Sequence, residues 1–175
     1  VMAAAAQNLT PVTLELGGKS PAVIDPEYPI DKAVERIMFV KQFNAGQICT
    51  NVDYLFVHES KLQAFIQAAA AWVQEHVPDI HSKDYTSVID ERAFQRLVHS
   101  LADAEAKGAS LINLNQQEPD AATRKFPLTL VLNSNDEMEI DTRETFGPIL
   151  MVKTYQKPED VVDYIVQRDR PLAFY

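Results

Sequence analysis

Short apolar runs alternate along this chain with longer stretches in which apolar residues recur every three or four positions, and that alternation constrains the fold most. Tyr54-Leu55-Phe56-Val57, Leu111–Leu114, Leu128–Leu132 and Ile149–Tyr155 read as strands. Ile30, Ala33, Val34, Ile37 and Val40 place an amphipathic helix over Asp31 to Gln42. Leu62, Phe65, Ile66, Ala69 and Val73 mark a second helix that ends before Pro78. Asp90 caps a third, carrying Phe94, Leu97, Val98 and Leu101 and closed by Gly108. Pro158, suited to a first helical turn, opens a fourth through Val161, Val162 and Ile165. Asn115 to Lys125 is polar and loop-like. Strands interleaved with helices predict a three-layer α/β/α sandwich with a largely parallel sheet.

The ends fit this pattern less well. Val1 to Leu9 is alanine-rich and helix-prone, Thr10-Pro11 stops it, and Val12 to Leu16 then reads as a short strand. That is the second half of a β-α-β unit without its first strand. Pro171 to Tyr175 enters another apolar strand. The expectation is a fragment of a longer protein; with no internal repeat and no low-complexity linker, the chain reads as one compact domain.

Composition removes several function classes. Sixteen basic against 25 acidic residues leave a net charge of −9, and no lysine- or arginine-rich run offers a footprint for nucleic acid. No segment approaches the roughly 18 continuous apolar residues of a membrane span. The apolar start, Val1 to Ala6, lacks the basic flank of a signal peptide. A single cysteine forms no internal disulfide, so a reducing cytoplasm is the expected setting.

That cysteine, Cys49, follows Phe43-Asn44-Ala45-Gly46-Gln47-Ile48 in a loop between a helix and a buried strand. A lone cysteine is more often a small core hydrophobe than a reagent. Here backbone N–H groups in an irregular loop are free to face an oxyanion, and Gly46 suits a close backbone approach. Glu15 is a candidate base: Leu14 and Leu16 beside it would raise its pKa by desolvation, and Gly17-Gly18 would turn its carboxylate into a cleft. Its bland alternative is a solvated glutamate on an edge strand. Four other patterns carry less. Gly18-Lys19-Ser20 lacks the earlier glycine of a phosphate-binding loop, because Thr13 stands there. His76 and His81, near Glu75 and Asp79, are separated by Pro78 and lack a third ligand, so no metal is expected. Trp72 and the phenylalanines at helical spacing read as core. Cys49 with His58 or His99 as a hydrolase pair is a rival chemistry, but it leaves the glutamate segments unused.

Three segments, in order, resemble the aldehyde dehydrogenase family. They are Val12-Thr13-Leu14-Glu15-Leu16-Gly17-Gly18-Lys19-Ser20-Pro21, Asn44-Ala45-Gly46-Gln47-Ile48-Cys49 and Glu144-Thr145-Phe146-Gly147-Pro148. The resemblance implies Cys49 as nucleophile and Glu15 as general base. It implies that Glu144 binds the ribose hydroxyls of NAD or NADP, that Phe146 packs near the nicotinamide, and that the Leu16 carbonyl meets the carboxamide. It makes residues 1–14 the end of the cofactor-binding domain and 15–175 the catalytic domain. It implies a small-molecule aldehyde substrate and a homodimeric or homotetrameric parent. Cys49-Thr50-Asn51-Val52-Asp53-Tyr54 and the opening helix with Asn8-Leu9-Thr10-Pro11 look more like the branch of fatty, aromatic and coniferyl aldehyde dehydrogenases. The substrate expectation is therefore coniferyl or a related aromatic aldehyde, the alternative a medium- or long-chain aliphatic one. The cofactor-domain motifs lie upstream of Val1 in that family, so the isolated chain is expected to be inactive.

Overall fold

The computed structural model describes residues 1–175. Five strands form one sheet: β1 (Ser20–Ile24), β2 (Val52–His58), β3 (Ser110–Asn113), β4 (Thr129–Leu132) and β5 (Ile149–Tyr155). Their order is β1-β2-β5-β4-β3, parallel throughout except for β3, which runs antiparallel to β4. Six helices accompany them: α1 (Met2–Ala6), α2 (Ile30–Gln42), α3 (Leu62–His76), α4 (Glu91–Ala106), α5 (Glu139–Thr142) and α6 (Pro158–Val166).

The central strands are buried on both faces, which explains their nearly unbroken apolar character. Leu55, Val57, Leu130, Leu150 and Val152 point to one side, where Ala33, Val34, Ile37 and Met38 of α2 and Phe65, Ala69 and Val73 of α3 close a core. Tyr54, Phe56, Val131, Ile149 and Met151 point to the other, against Phe94 and Leu97 of α4 and Val161 of α6. This is the expected three-layer sandwich. The helix signals also act as read: the Asp90 side chain accepts from the Ala93 N–H at 2.7 Å, and Gly108 ends the α4 segment at φ +96°. Pro158 stands in the first turn of α6.

Three expectations are corrected. Val12 to Leu16 forms no strand; no backbone hydrogen bond pairs it with a neighbour, and Leu16 is 81% exposed. An apolar, β-prone run becomes a strand only beside another strand, and the sheet begins at Ser20 instead. Pro171 to Tyr175 is no strand either, although Tyr175 exchanges two backbone hydrogen bonds with Pro21 and Val23 along the edge of β1. The opening helix is limited to Met2–Ala6.

The topology has one consequence for chemistry. The Glu15 segment leads into β1, the Cys49 loop into β2 and the Glu144 segment into β5, and these three strands are consecutive parallel neighbours. Adjacent strands lie about 4.8 Å apart, so segments distant in sequence converge at the amino ends of the sheet.

Phe65 is wholly buried between α3 and the sheet, whereas Val162 faces solvent. Phe65→Ala should cost about 3–5 kcal/mol and Val162→Ala no more than about 0.5 kcal/mol in urea unfolding. Equal losses at the two positions would contradict this placement of the core.

Candidate functional site

The loop between α2 and β2 is held in an unusual backbone path. Asn44, Ala45 and Gly46 have φ values of 53°, 52° and 70°, three left-handed residues in succession. Asn and Gly tolerate that region; buried Ala45 does so at a cost of about 1 kcal/mol or more. Surrounding contacts fix the path. The Gln47 amide donates to the Asn44 carbonyl at 2.9 Å and the Ser87 carbonyl at 3.2 Å, and its oxygen accepts from the Ile89 N–H at 2.8 Å. Asn51 donates to the Gly46 carbonyl at 2.7 Å, while its own buried side-chain oxygen has no partner. A methyl group on Gly46 would overlap the Gly147 carbonyl, so the glycine lets the cysteine loop lie against the Glu144 segment.

Cys49 itself is exposed, contrary to the core-hydrophobe alternative. Its backbone N–H and that of Thr50 donate to no protein acceptor. The two rival histidines are engaged elsewhere: His58 Nδ1 lies 2.8 Å from Ser60 Oγ, and His99 Nε2 lies 3.8 Å from Glu139. Phe39 and Phe43, which lead into the loop, lie off the apolar stripe of α2 and face outward. Each is 56% exposed, with ring centroids 6.2 Å apart. Trp72 is half-buried at the edge of a core and stacks on His76.

The second segment carries Glu15 on an exposed, unpaired stretch. The desolvating flank expected from Leu14 and Leu16 is absent, since both are exposed. Gly17 and Gly18 do turn the chain, at φ +74° and +137°. The third segment closes over that turn. The half-buried Glu144 carboxylate packs against the Gly17-Gly18 turn and sits where a Gly17 side chain would be, its oxygens 2.7 and 3.0 Å from that position. Burial raises the Glu144 pKa above the usual carboxylate range; Asp53 adds to the rise, while the Gly18 N–H, Lys19 and Arg96 oppose it. Phe146 follows in a left-handed conformation, φ 44°, with its ring partly exposed. Arg96 of α4 approaches the Glu144 and Phe146 carbonyls at 3.4 and 3.5 Å.

Two buried charged residues join these segments: Asp53, quoted above only as part of the Cys49–Tyr54 pattern, and Lys41, which no motif contains. Asp53, 3% exposed, pairs with Lys19, accepts from the Thr145 N–H at 2.7 Å and accepts from the Thr145 hydroxyl at 3.2 Å. Lys41, 1% exposed in the last turn of α2, donates to the Val52 carbonyl at 2.8 Å and so ties together the two ends of the cysteine loop. Burial lowers its pKa to about 8 from the ordinary 10.5; Asp53 and Glu144 pull it up and Lys19 pushes it down. A lysine late in an amphipathic helix normally reads as a solvated C-terminal charge, so the sequence alone conceals its burial. No group of three or more His, Cys, Asp or Glu side chains is arranged to hold a metal, and no helix is long and apolar enough to cross a membrane.

Comparison with known proteins agrees with this arrangement. The model of the aldehyde dehydrogenase family matches residues 1–169. The chain is 42% identical to a coniferyl aldehyde dehydrogenase of a Pseudomonas species and 46% identical to a probable coniferyl aldehyde dehydrogenase of Pseudomonas aeruginosa. All of the chain is matched in both cases, against 37% and 36% of the relatives' lengths. The solved structure of a Staphylococcus aureus AldH in a substrate-bound state superposes with a TM-score of 0.91 at 35% identity, covering 99% of this chain and 37% of that one. The chain therefore spans little more than a third of the relatives it matches.

Two outcomes follow from this geometry. Gly46→Ala forces a left-handed alanine against a backbone carbonyl and should destabilise the fold by about 2–4 kcal/mol in urea unfolding. For Lys41, the unfolded chain keeps its proton up to about pH 10.5 while the folded chain releases it near 8. Between those values the unfolded state binds more protons, so the Lys41 contribution grows more favourable as pH rises. Below that window the folded state carries the full cost of the buried ammonium, about 3 kcal/mol. Lys41→Met should thus gain stability relative to the parent at pH 7 and lose that advantage towards pH 10. A difference between the two chains that is the same at both pH values would rule out this titration.

Proposed function

Because this chain belongs to the aldehyde dehydrogenase family, we propose that it supplies the catalytic domain of an NAD(P)-dependent enzyme that oxidises an aldehyde to the carboxylic acid. Residues 1–14 are then the end of the cofactor-binding domain and 15–175 the catalytic domain. The observation that carries this reading is the convergence of the Cys49, Glu15 and Glu144 segments at the amino ends of three adjacent strands, with the thiol exposed.

The residues present suit a nicotinamide coenzyme. Glu144 holds a partly buried carboxylate whose oxygens can accept from ribose hydroxyls, Phe146 is partly exposed, and exposed Leu16 has a carbonyl that accepts no backbone hydrogen bond. Bound NAD or NADP would supply the acceptor for the hydride of the aldehyde carbon. The chain's own residues do the rest. The Cys49 thiolate adds to the carbonyl carbon, the π electrons move to oxygen, and the free N–H of Cys49 is available to that oxyanion. Loss of hydride leaves an acyl thioester on Cys49. Glu15 then takes a proton from water as the water attacks the thioester; the C–S bond breaks, and the acid and the thiolate are released. The exposed position of Glu15 leaves its carboxylate free for water.

Coniferyl or a related aromatic aldehyde is the preferred substrate in this reading. The likeness to coniferyl aldehyde dehydrogenases supports it, and so does the exposed Phe39–Phe43 pair, a surface on which an aromatic ring can stack. The chain spans little more than a third of the relatives it matches, and residues 1–175 alone should show no turnover.

The test uses the longer polypeptide that the proposal requires, assayed by NAD(P)H production. Cys49→Ala should lower kcat/KM by more than about a thousandfold. Glu15→Gln should leave a single-turnover burst followed by slow steady-state release, the mark of a thioester that forms and persists. Coniferyl aldehyde should exceed a C8 aliphatic aldehyde in kcat/KM, and Phe43→Ala should narrow that preference several-fold. Activity that survives the loss of Cys49 would sink the mechanism, and aliphatic preference would discard the aromatic substrate.

A further inference from the structure

We infer that Asp53 is a positioning residue, one buried carboxylate that sets all three functional segments in register; the inference rests on the function proposed above. Its partners come one from each of the other two segments. Lys19, which directly follows the Gly17-Gly18 turn, gives one N–H to Asp53 and the others to the Ile140 carbonyl at 2.7 Å and the Arg143 carbonyl at 3.1 Å. Thr145, between Glu144 and Phe146, gives Asp53 both its backbone N–H and its hydroxyl. Asp53 itself belongs to the strand that leaves the Cys49 loop. The nucleophile loop, the base segment and the ribose-binding segment are thus joined through two oxygens.

The chemistry of the node explains why a carboxylate is needed. Only donors converge on it: an ammonium, an amide N–H and a hydroxyl. A carboxylate accepts at both oxygens, whereas an amide of the same shape turns one acceptor into a donor. Whichever way that amide is rotated, it faces a donor with a donor. Glu144 depends on the node at one remove. Its carboxylate packs against the Gly17-Gly18 turn, its neighbour Thr145 is held by Asp53, and the lysine between Gly18 and β1 is held by Asp53 as well. Loss of the node therefore frees Glu144 from both sides and leaves the Cys49 loop with its own anchors at Gln47, Asn51 and Lys41.

Hydrogen exchange on the 175-residue chain tests this without aldehyde or coenzyme. In Asp53→Asn, the Thr145 amide should exchange at least tenfold faster, and so should the Gly18 amide, although Gly18 does not touch Asp53. Amides of α3 should be unchanged. Thr145→Val removes one donor without disturbing charge; it keeps the measurement available if Asp53→Asn fails to fold, and should speed exchange at residues 143–147 to a smaller degree. Acceleration spread evenly over the sheet and α3, or none at Gly18, would overturn the inference. A second reading comes from the longer polypeptide, where Asp53→Asn should raise KM for the coenzyme about tenfold while the rate of Cys49 alkylation stays within about twofold. An unchanged KM, or an alkylation rate that falls with it, would show that Asp53 does not position Glu144. The exchange result stands apart from the oxidoreductase reading, which the loss of Cys49 tests separately.

Discussion

Burying the Asp53 carboxylate requires that every lone pair facing the protein be met, and the chain meets them with Lys19 and Thr145. A buried charge left without partners costs several kcal/mol, so removing either partner is more damaging than the pair's net stabilisation suggests. That asymmetry makes the contact a device for specificity of arrangement. Three irregular segments have no ladder hydrogen bonds of their own to hold them together. The shared carboxylate, Gly46 against Gly147 and the Glu144 carboxylate on Gly17-Gly18 replace that ladder. Lys41 stands behind the same region as a second buried charge, and its ammonium links the ends of the cysteine loop.

The site lies at the amino ends of parallel strands. In open α/β sheets, ligands generally bind outside the carboxyl ends, where loops meet helix amino termini. Here the amino ends hold the irregular, left-handed stretches: Gly17-Gly18 before β1, Asn44 to Gly46 before β2 and Phe146 before β5. Consecutive parallel pairing of β1, β2 and β5 brings these together, whereas β3 and β4, on the far side of β5, contribute core and no site residue. Left-handed residues also occur outside the site, at Leu9, Gln116, Arg124 and Asn133, but at the three segments they fall in backbone that meets in space.

Helix positions and buried strands were legible from periodicity because both faces of the sheet are covered. A helix such as α2 must show one apolar stripe, and a strand such as β5 must be apolar almost throughout. Val12 to Leu16 was misread because a strand is defined by its neighbour, which local composition does not reveal. Trp72, read as core, is only half-buried for a related reason: helical spacing finds the face a residue shares but not how completely it is covered. The apolar shielding expected around Glu15 is missing together with the strand it depended on, since Leu14 and Leu16 are exposed. Lys41 escaped notice because burial of a charge leaves no periodic trace, and for the same reason Asp53 was visible only as part of the Cys49–Tyr54 pattern, with no structural role attached.

By itself, the sequence determined the alternation of helices and strands, the two-sided burial of the sheet, the helix caps at Asp90 and Gly108, and the three segments that mark the family. These are local or periodic properties, set by side-chain polarity and backbone preference within a few residues. Tertiary structure alone decided the strand order, and with it which segments become neighbours. It also decided that Cys49 is exposed while Lys41 is buried, and that one carboxylate at Asp53 joins residues far apart in the chain. Such features depend on which donors and acceptors meet in space once water is excluded, and that is a property of the packed sheet and not of any segment within it.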